Sequence, residues 1–426
     1  MAVIANNLRA VAAYTQRAIA LFRINCTFAE KFDRSFNDWN VPGNRGPALT
    51  FSTPSMFVAQ DGLEVDFSKK YTENFATLTA TETKNIPLTL SHEELATYPL
   101  EQSIKMGGES AMAEMATVID GYLAKLAMNS PFRWYTDANF SVVAPITKPT
   151  VQNLRHAVAT FREYGSMAKA HCALPVSAAV DILDSGLQLF TPITNDKSIA
   201  GWEIGSLTGA SNVSFYQSYH LGKHTSGTAA GSELAITAVS DTTYTIPGTN
   251  ITKPATNVTV TVPSGKTIVA NDLGDIGHST GLQMIRPVGH EKIDIAPQIR
   301  VVEASNASAT SIVLKVFPAL LAPNDGIIEP DTNIARPIAT ATDKLRIVGD
   351  HKRGVIWLND YAKFAMPKLP GMKPFPSHTA SDPNSAISVR MYTGAQFGKG
   401  QSASVLDCLY GGTMVPEGGM IVCLPA

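Results

Sequence analysis

Cysteine is scarce: Cys26, Cys172, Cys408 and Cys423 are all there are in 426 residues. So few, so widely spaced, exclude a disulfide scaffold and any Cys-x-x-Cys metal or redox pair. They read as small buried hydrophobes in a reducing compartment. Charge is scarce as well. Asp, Glu, Lys and Arg make up 16% of the chain, against about 25% in an average soluble protein, and 34 basic residues nearly cancel 36 acidic ones. That balance provides no broad basic face for tight nucleic-acid binding. Long apolar runs are also missing. The stretch MAVIANNLRAVAAYTQRAIALF is broken by Arg9 and Arg17 and falls short of the roughly 18 residues a membrane span needs, so neither an export signal nor a span is expected. What is present is a hydrophobic fraction of 44%, enough for a sizeable core. At about 150 residues per domain the length allows roughly three units.

Along the chain, Ile4, Leu8, Val11, Ala18 and Phe22 stripe one face of an amino-terminal helical arm, which can pack on its own core or dock on another chain. From Arg45 to Leu90 the pattern turns to strands. Asp61-Gly62 sits between two extended stretches in TPSMFVAQDGLEVDFS, and Asp-Gly supplies the positive φ angles of a tight hairpin turn. ATLTATETKNIPLTL alternates at period two, so the segment reads as a long hairpin arm that needs cover from elsewhere. Ser91-His92-Glu93-Glu94 matches a capping box and starts a helix, which Pro99 restarts or kinks. Leu100, Ile104, Gly107, Ala111, Met115, Val118, Tyr122 and Leu126 then form one apolar seam on a helix about 40 Å long. Gly107 and Gly108 mark a bend or a close backbone approach.

Beyond it, VQNLRHAVATFREYG reads as a helix ending at Gly165, and ALPVSAAVDILDSG as a strand end followed by a short helix. Residues 150–213 are therefore α+β. Between about Lys223 and Ala322 short strands such as ELAITAVS, NVTVTVPSG, KIDIAPQIRVVEA and TSIVLKVFPAL alternate with turns, which suggests a small barrel or sandwich. Its seven basic and seven acidic residues leave it neutral. Residues 323–426 return to mixed strands without a long helix.

Motifs that carry chemistry are weak. Ser264-Gly265-Lys266-Thr267 copies the end of a P-loop but has Val260 where glycine is required and no helix signal after it. Gly398-Lys399-Gly400-Gln401-Ser402-Ala403 runs into a strand pattern rather than the helix that would cradle a phosphate. No Gly-x-Ser-x-Gly elbow occurs. His220 and His224 lack the further ligands of a zinc shell. His171 and Cys172, adjacent on a strand, point to opposite faces. Met106, Met112, Met115 and Met128 read as core filler. No catalytic residue, cofactor or metal is expected.

The order of parts resembles the major capsid proteins of tailed bacteriophages with the Hong Kong 97-type fold, and more narrowly the coat proteins of short-tailed Salmonella phages. The likeness is motif-like in TDKLRIVGDHKRGVIWLNDYAKFAMPKLPGMKPFPSHT and SVRMYTGAQFGKGQSASVLDCLYGGTMVPEGGMIVCLPA. It implies an α+β fold with an extended β-hairpin loop, a spine helix, an axial domain and an inserted small β-barrel. The implied layout is an arm at 1–45, an extended loop at 46–90, a peripheral domain with the spine helix at 91–149, axial segments at 150–222 and 323–426, and an insertion barrel at 223–322. It further implies self-assembly into hexamers and pentamers of an icosahedral head around weakly contacted double-stranded DNA. A separate scaffolding protein and a portal protein would be its partners, without a membrane, with assembly in the host cytoplasm. The candidate inter-subunit contacts are Asp61, Gly62, Lys69, Lys70, Glu93 and Glu94. Some relatives form an isopeptide from a loop lysine to an asparagine; Lys69 or Lys70 with Asn359 is the conceivable pair here, although relatives with an insertion domain do not crosslink. Two alternatives stay open: a multidomain hydrolase with a β-sandwich accessory domain, and a non-capsid lattice or fibre protein.

Overall fold

The computed structural model describes residues 26–34, 48–56, 72–91, 109–143, 149–165, 168–187, 213–246, 249, 251–287, 289–308, 310–324, 329, 331–371, 377–382, 387–396 and 401–426. They form two compact units, one from the described residues within Met1–Thr50, Thr77–Leu126 and Ala362–Thr413, the other from those within Phe51–Ala76, Ala127–Tyr361 and Met414–Ala426.

In the first unit a five-stranded sheet has the order β17 (Ala362–Ala365), β20 (Gln401–Met414), β19 (Ile387–Gln396), β18 (Ser377–Asp382), with β3 (Glu82–Ser91) also on β20. β20 is long enough to carry β3 antiparallel from Gln401 to Tyr410. The SASVLDCLY segment is thus a strand, as the sequence predicts, and not the helix that a phosphate-binding loop requires. The expected hairpin arm divides at Ala80-Thr81. β2 (Thr72–Thr79) forms a two-stranded sheet with β1 (Ala48–Met56), whereas β3 is claimed by β20. The cover foreseen for that wing comes from this chain itself, because each backbone edge of β20 is a ready template for a further strand. The Asp61-Gly62 turn, Lys69 and Lys70 lie outside the described residues, as do the amino-terminal stripe, Glu93, Glu94, Pro99, Gly107 and Gly108.

Helix α2 (Glu109–Asn129) is preceded in the chain by α1 (Phe28–Lys31). Its fully buried line is Met112, Met115, Ala116, Ile119, Leu123 and Ala124, about one position round from the expected seam, of which Met115 alone is shared; Ala111, Val118, Tyr122 and Leu126 are only half-buried. The sequence AMAEMATVIDGYLAKLAM is apolar on nearly every side, so large residues alone misplace the buried phase, and small alanines take the closest approach instead.

The second unit centres on a mixed six-stranded sheet, β4 (Arg133–Tyr135), β21 (Gly419–Leu424), β16 (His351–Leu358), β5 (Ala170–Pro175) and β6 (Val213–Ser218), with β7 (Lys223–His224) also on β16. β5 and β21 are buried at every residue, as strands covered on both faces are. Helix α3 (Val151–Glu163) buries Leu154, Ala157, Val158 and Phe161, the i, i+3, i+4, i+7 set, and starts where Thr150 Oγ1 accepts from Asn153 N–H. Gly165 ends it at φ +101°. Helix α4 (Val176–Leu187) links β5 to its parallel neighbour β6.

Between β7 and β16 the chain builds a closed barrel of order β10 (Leu273–Ile276), β13 (Gln298–Ser308), β14 (Ser311–Phe317), β9 (Thr252–Thr261), β8 (Glu233–Thr245), β15 (Lys344–Ile347). Period-two alternation fills it with Leu234, Ile236, Val258, Val260, Ile299, Val301, Ile312, Leu314 and Leu345. Register shifts at Ile236/Ala238 and Val301/Glu303 supply the bends that closure needs. The closing strand is β15, beyond the 223–322 stretch read from the sequence. The small sheet of β11 (Met284–Ile285) and β12 (Lys292–Ile293) lies between barrel strands in the chain.

Candidate functional site

The cysteines are buried thiols. Burial pushes Cys408 up to about 12 and raises Cys26, Cys172 and Cys423 further still, so no thiolate nucleophile is available. His171 is stacked between Tyr216 and Trp357, with ring centroids 5.7 and 5.6 Å away, while its neighbour Cys172 sits in the hydrophobic core. His220 stacks on Tyr219, and His224 is taken by Asp272, Nε2 to Oδ1 2.8 Å. Among the described residues no three His, Cys, Asp or Glu side chains converge as metal ligands, and no helix is long and apolar enough to cross a membrane. Ser264–Thr267 forms a turn before β10, with Lys266 N–H donating to Pro263 O and Thr267 N–H to Thr228 Oγ1. Asn359 opens a half-buried 3-10 turn; the lysines paired with it at the sequence level lie outside the described residues.

The dense polar chemistry is at the joint between barrel and sheet. Trp134 and Tyr164 both donate to Gln298 Oε1, at 3.0 and 2.6 Å, and Gln298 Nε2 donates back to Trp134 O at 2.7 Å. The Trp134 indole N–H reaches Gly274 O on barrel strand β10 at 2.8 Å. Gly274 has no room for a side chain, since a Cβ would lie 2.2 Å from Arg346 O. Arg353 of β16 spans from Asn129 Oδ1 (2.6 Å) to Asn271 O (3.0 Å); burial lowers its pKa to about 10. Asp272, fully buried, accepts from Gly227 N–H and Val269 N–H as well as meeting His224. At the barrel's end Asp343 takes both arms of Arg336 together with the Ala339 amide, and the Arg336 bonds lead in holding its carboxyl down at about 2.

In the first unit a clamp holds the segment at 26–34. Asp120, 1% exposed on α2, accepts from Phe28 N–H (2.7 Å) and Ala29 N–H (3.1 Å), capping α1 from another helix. Lys363 pairs with Asp33, Asp33 N–H donates to Ala362 O, and Phe364 N–H donates to Asp33 O. Cys26 Sγ lies 3.5 Å from Ala116 O.

The second unit also holds a cleft of ≈ 340 Å³ beside Arg133, Lys253 and Glu417. Arg133 Nη1 donates to Glu417 O at 2.9 Å, and Lys253 pairs with Glu417 Oε1. Sequence reasoning passed over the clamp at 26–34 because its partners are 90 to 330 residues apart. One signal was legible: Asp120, an acid amid the apolar ATVIDGYLAKL run, had to find a donor.

No protein-family model matches the chain, and no curated protein matches it by sequence. Solved structures similar to it include the capsid of Ralstonia phage GP4, 8% identical over 94% of this chain and 92% of that chain, with a TM-score of 0.46. The asymmetric unit of the bacteriophage PhiM1 mature capsid is 10% identical over 94% and 87%, TM-score 0.40. The virus-like particle from Pyrococcus furiosus is 5% identical over 97% and 98%, TM-score 0.38.

Proposed function

We propose that the chain is the major capsid subunit of a tailed-phage-type head, a structural protein and not an enzyme, which assembles into hexamers and pentamers of a closed shell around double-stranded DNA. The observation that carries the proposal is how the chain leaves and re-enters the six-stranded sheet. β7 and β16 pair antiparallel, His224 opposite His351 and Lys223 opposite Lys352, and the named strands between them are those of the barrel and the small β11–β12 sheet. A barrel entered and left through adjacent strands is an insertion into an α+β domain, the arrangement implied by the resemblance to insertion-bearing Hong Kong 97-type coat proteins.

In this scheme the barrel, with β15 as its closing strand, is the insertion domain and the sheet with α3 and α4 is the axial domain. α2 is the spine, and the 46–90 segment is the loop that reaches a neighbouring subunit up to the point where β3 joins its own sheet. Asp61, Gly62, Lys69, Lys70, Glu93 and Glu94 remain the contact candidates. A near-neutral wall suits DNA that is packed inside without tight binding. Scaffolding and portal proteins are the proposed assembly partners, in the host cytoplasm. Negative-stain imaging of the purified chain tests this: closed shells tens of nanometres across support it, while a discrete small oligomer, or sheets and tubes, contradict it.

A further inference from the structure

Where barrel and sheet meet in the second unit, packing leaves the cleft of ≈ 340 Å³. Protein interiors hold few voids larger than a water molecule, and small-molecule sites run from about 300 to 1,000 Å³, so the gap is of ligand size. Its apolar lining includes buried Phe132, Met284 and Phe317 and half-buried Pro287, Pro318 and Leu321. Phe132 and Phe317 fix each other edge to face, 5.8 Å between ring centroids. The polar side chains around the cleft are already engaged within the protein. Lys253 pairs with Glu417, and Arg133 donates to Glu417 O at 2.9 Å with its guanidinium 4.2 Å from the Tyr164 ring centroid. Asn333 donates to Ala319 O and accepts from Leu321 N–H at 2.9 Å, and Thr332 Oγ1 accepts from Glu329 N–H at 2.9 Å. The two buried lining atoms without a partner, Arg133 Nε and Glu417 Oε2, are sealed from solvent and therefore from anything that enters the cleft. Asp331 is exposed and stays hydrated. A charged or strongly hydrogen-bonding ligand would give up its water here without gaining a partner, a cost that an uncharged hydrocarbon body does not meet.

We propose that the cleft is a binding site for a small uncharged ring hydrocarbon, recognised by apolar contact alone. An apolar cavity of about 150 Å³ holds benzene, and roughly twice that space suits two fused rings. Such a ligand would touch Thr252–Pro254 and Phe317–Ala319 of the barrel side together with Phe132 of the sheet side, and so would brace the joint whether or not the chain builds a shell. Equilibrium dialysis of the purified full-length protein against naphthalene tests this, with benzene, 2-naphthol, 2-naphthoate and 2-naphthylmethylamine alongside. One saturable site per chain is expected for naphthalene, with benzene about tenfold weaker for its smaller apolar area. The hydroxyl of 2-naphthol should bring no gain, and both ions should bind at least about tenfold more weakly than naphthalene. Ala319→Phe, which crowds the cleft, should weaken naphthalene by about tenfold or more; should that variant fail to fold, Leu321→Trp gives the same comparison. A diazirine-bearing naphthalene photolysed on the unaltered protein should label peptides containing 252–254, 284–287 or 317–321. Absence of saturable binding, tighter binding of 2-naphthol, either ion binding as well as naphthalene, binding unchanged in the crowded variant, or label confined to other peptides each overturns the proposal.

Discussion

Single residues at the barrel joint carry long-range information that no local pattern announces. Gln298 sits at a strand start with nothing in its neighbourhood to mark it, yet it satisfies Trp134 and Tyr164, 164 and 134 residues away. Gln298→Leu keeps the volume roughly and strands three buried polar groups. Its expected cost is about 2–5 kcal/mol, read as a lower urea midpoint. His351 is also invisible to sequence reasoning. It is fully buried, its Nδ1–H donates to Gly349 O at 2.8 Å, and its Nε2 has no partner among the described residues. Burial foremost pushes its pKa from 6.5 down to about 3. Between those values the unfolded ring is protonated and the folded one is not, so the stability it contributes is whole above pH 6.5 and lost as pH falls toward 3. The loss has a slope of up to about 1.4 kcal/mol per pH unit. Denaturation midpoints compared at pH 7 and pH 5 should show that slope, and His351→Gln should flatten it.

Elements were legible where local chemistry decides them. Gly165 ends α3 in the sequence and in the structure, and ELAITAVS, NVTVTVPSG and TSIVLKVFPAL, read as short strands, fall on β8, β9 and β14. Choices between distant partners were not legible. Nothing at Ala80-Thr81 signals that β2 and β3 go to different sheets, because that outcome depends on β20, more than three hundred positions later in the chain. The phase of α2 escaped for the opposite reason, an excess of apolar residues, and Asp120 was its one marker. That residue anchors a prediction for the element it caps. Asp120→Ala removes both acceptor contacts to α1, and Lys363→Met removes the ion pair to Asp33; either should loosen the segment at 26–34. The expected readout is faster labelling of Cys26 by a maleimide, with Cys172, Cys408 and Cys423 still protected inside their sheets. Labelling of Cys26 at the wild-type rate in both variants would show that the clamp does not hold this segment.

At the scale of the molecule, the short strands between Lys223 and Ala322 were readable, whereas barrel closure was not. KLRI at Lys344–Ile347 is too short to stand out, yet its pairing with β10 and β8 makes the barrel continuous. Deleting 223–322 removes five of the six barrel strands and leaves β15 without its barrel partners, Trp134 without Gly274 and Gln298, and Arg353 without Asn271. The subunit should then be insoluble on expression, and soluble, normally sized shells from that deletion would refute a bracing role. The central claim is that one chain tiles a closed surface in two local symmetries. Electron cryo-microscopy of particles assembled from the purified protein tests it most directly: fivefold and sixfold clusters of the same subunit within one closed shell are expected, and a single discrete oligomer of one point-group symmetry under every assembly condition would contradict it.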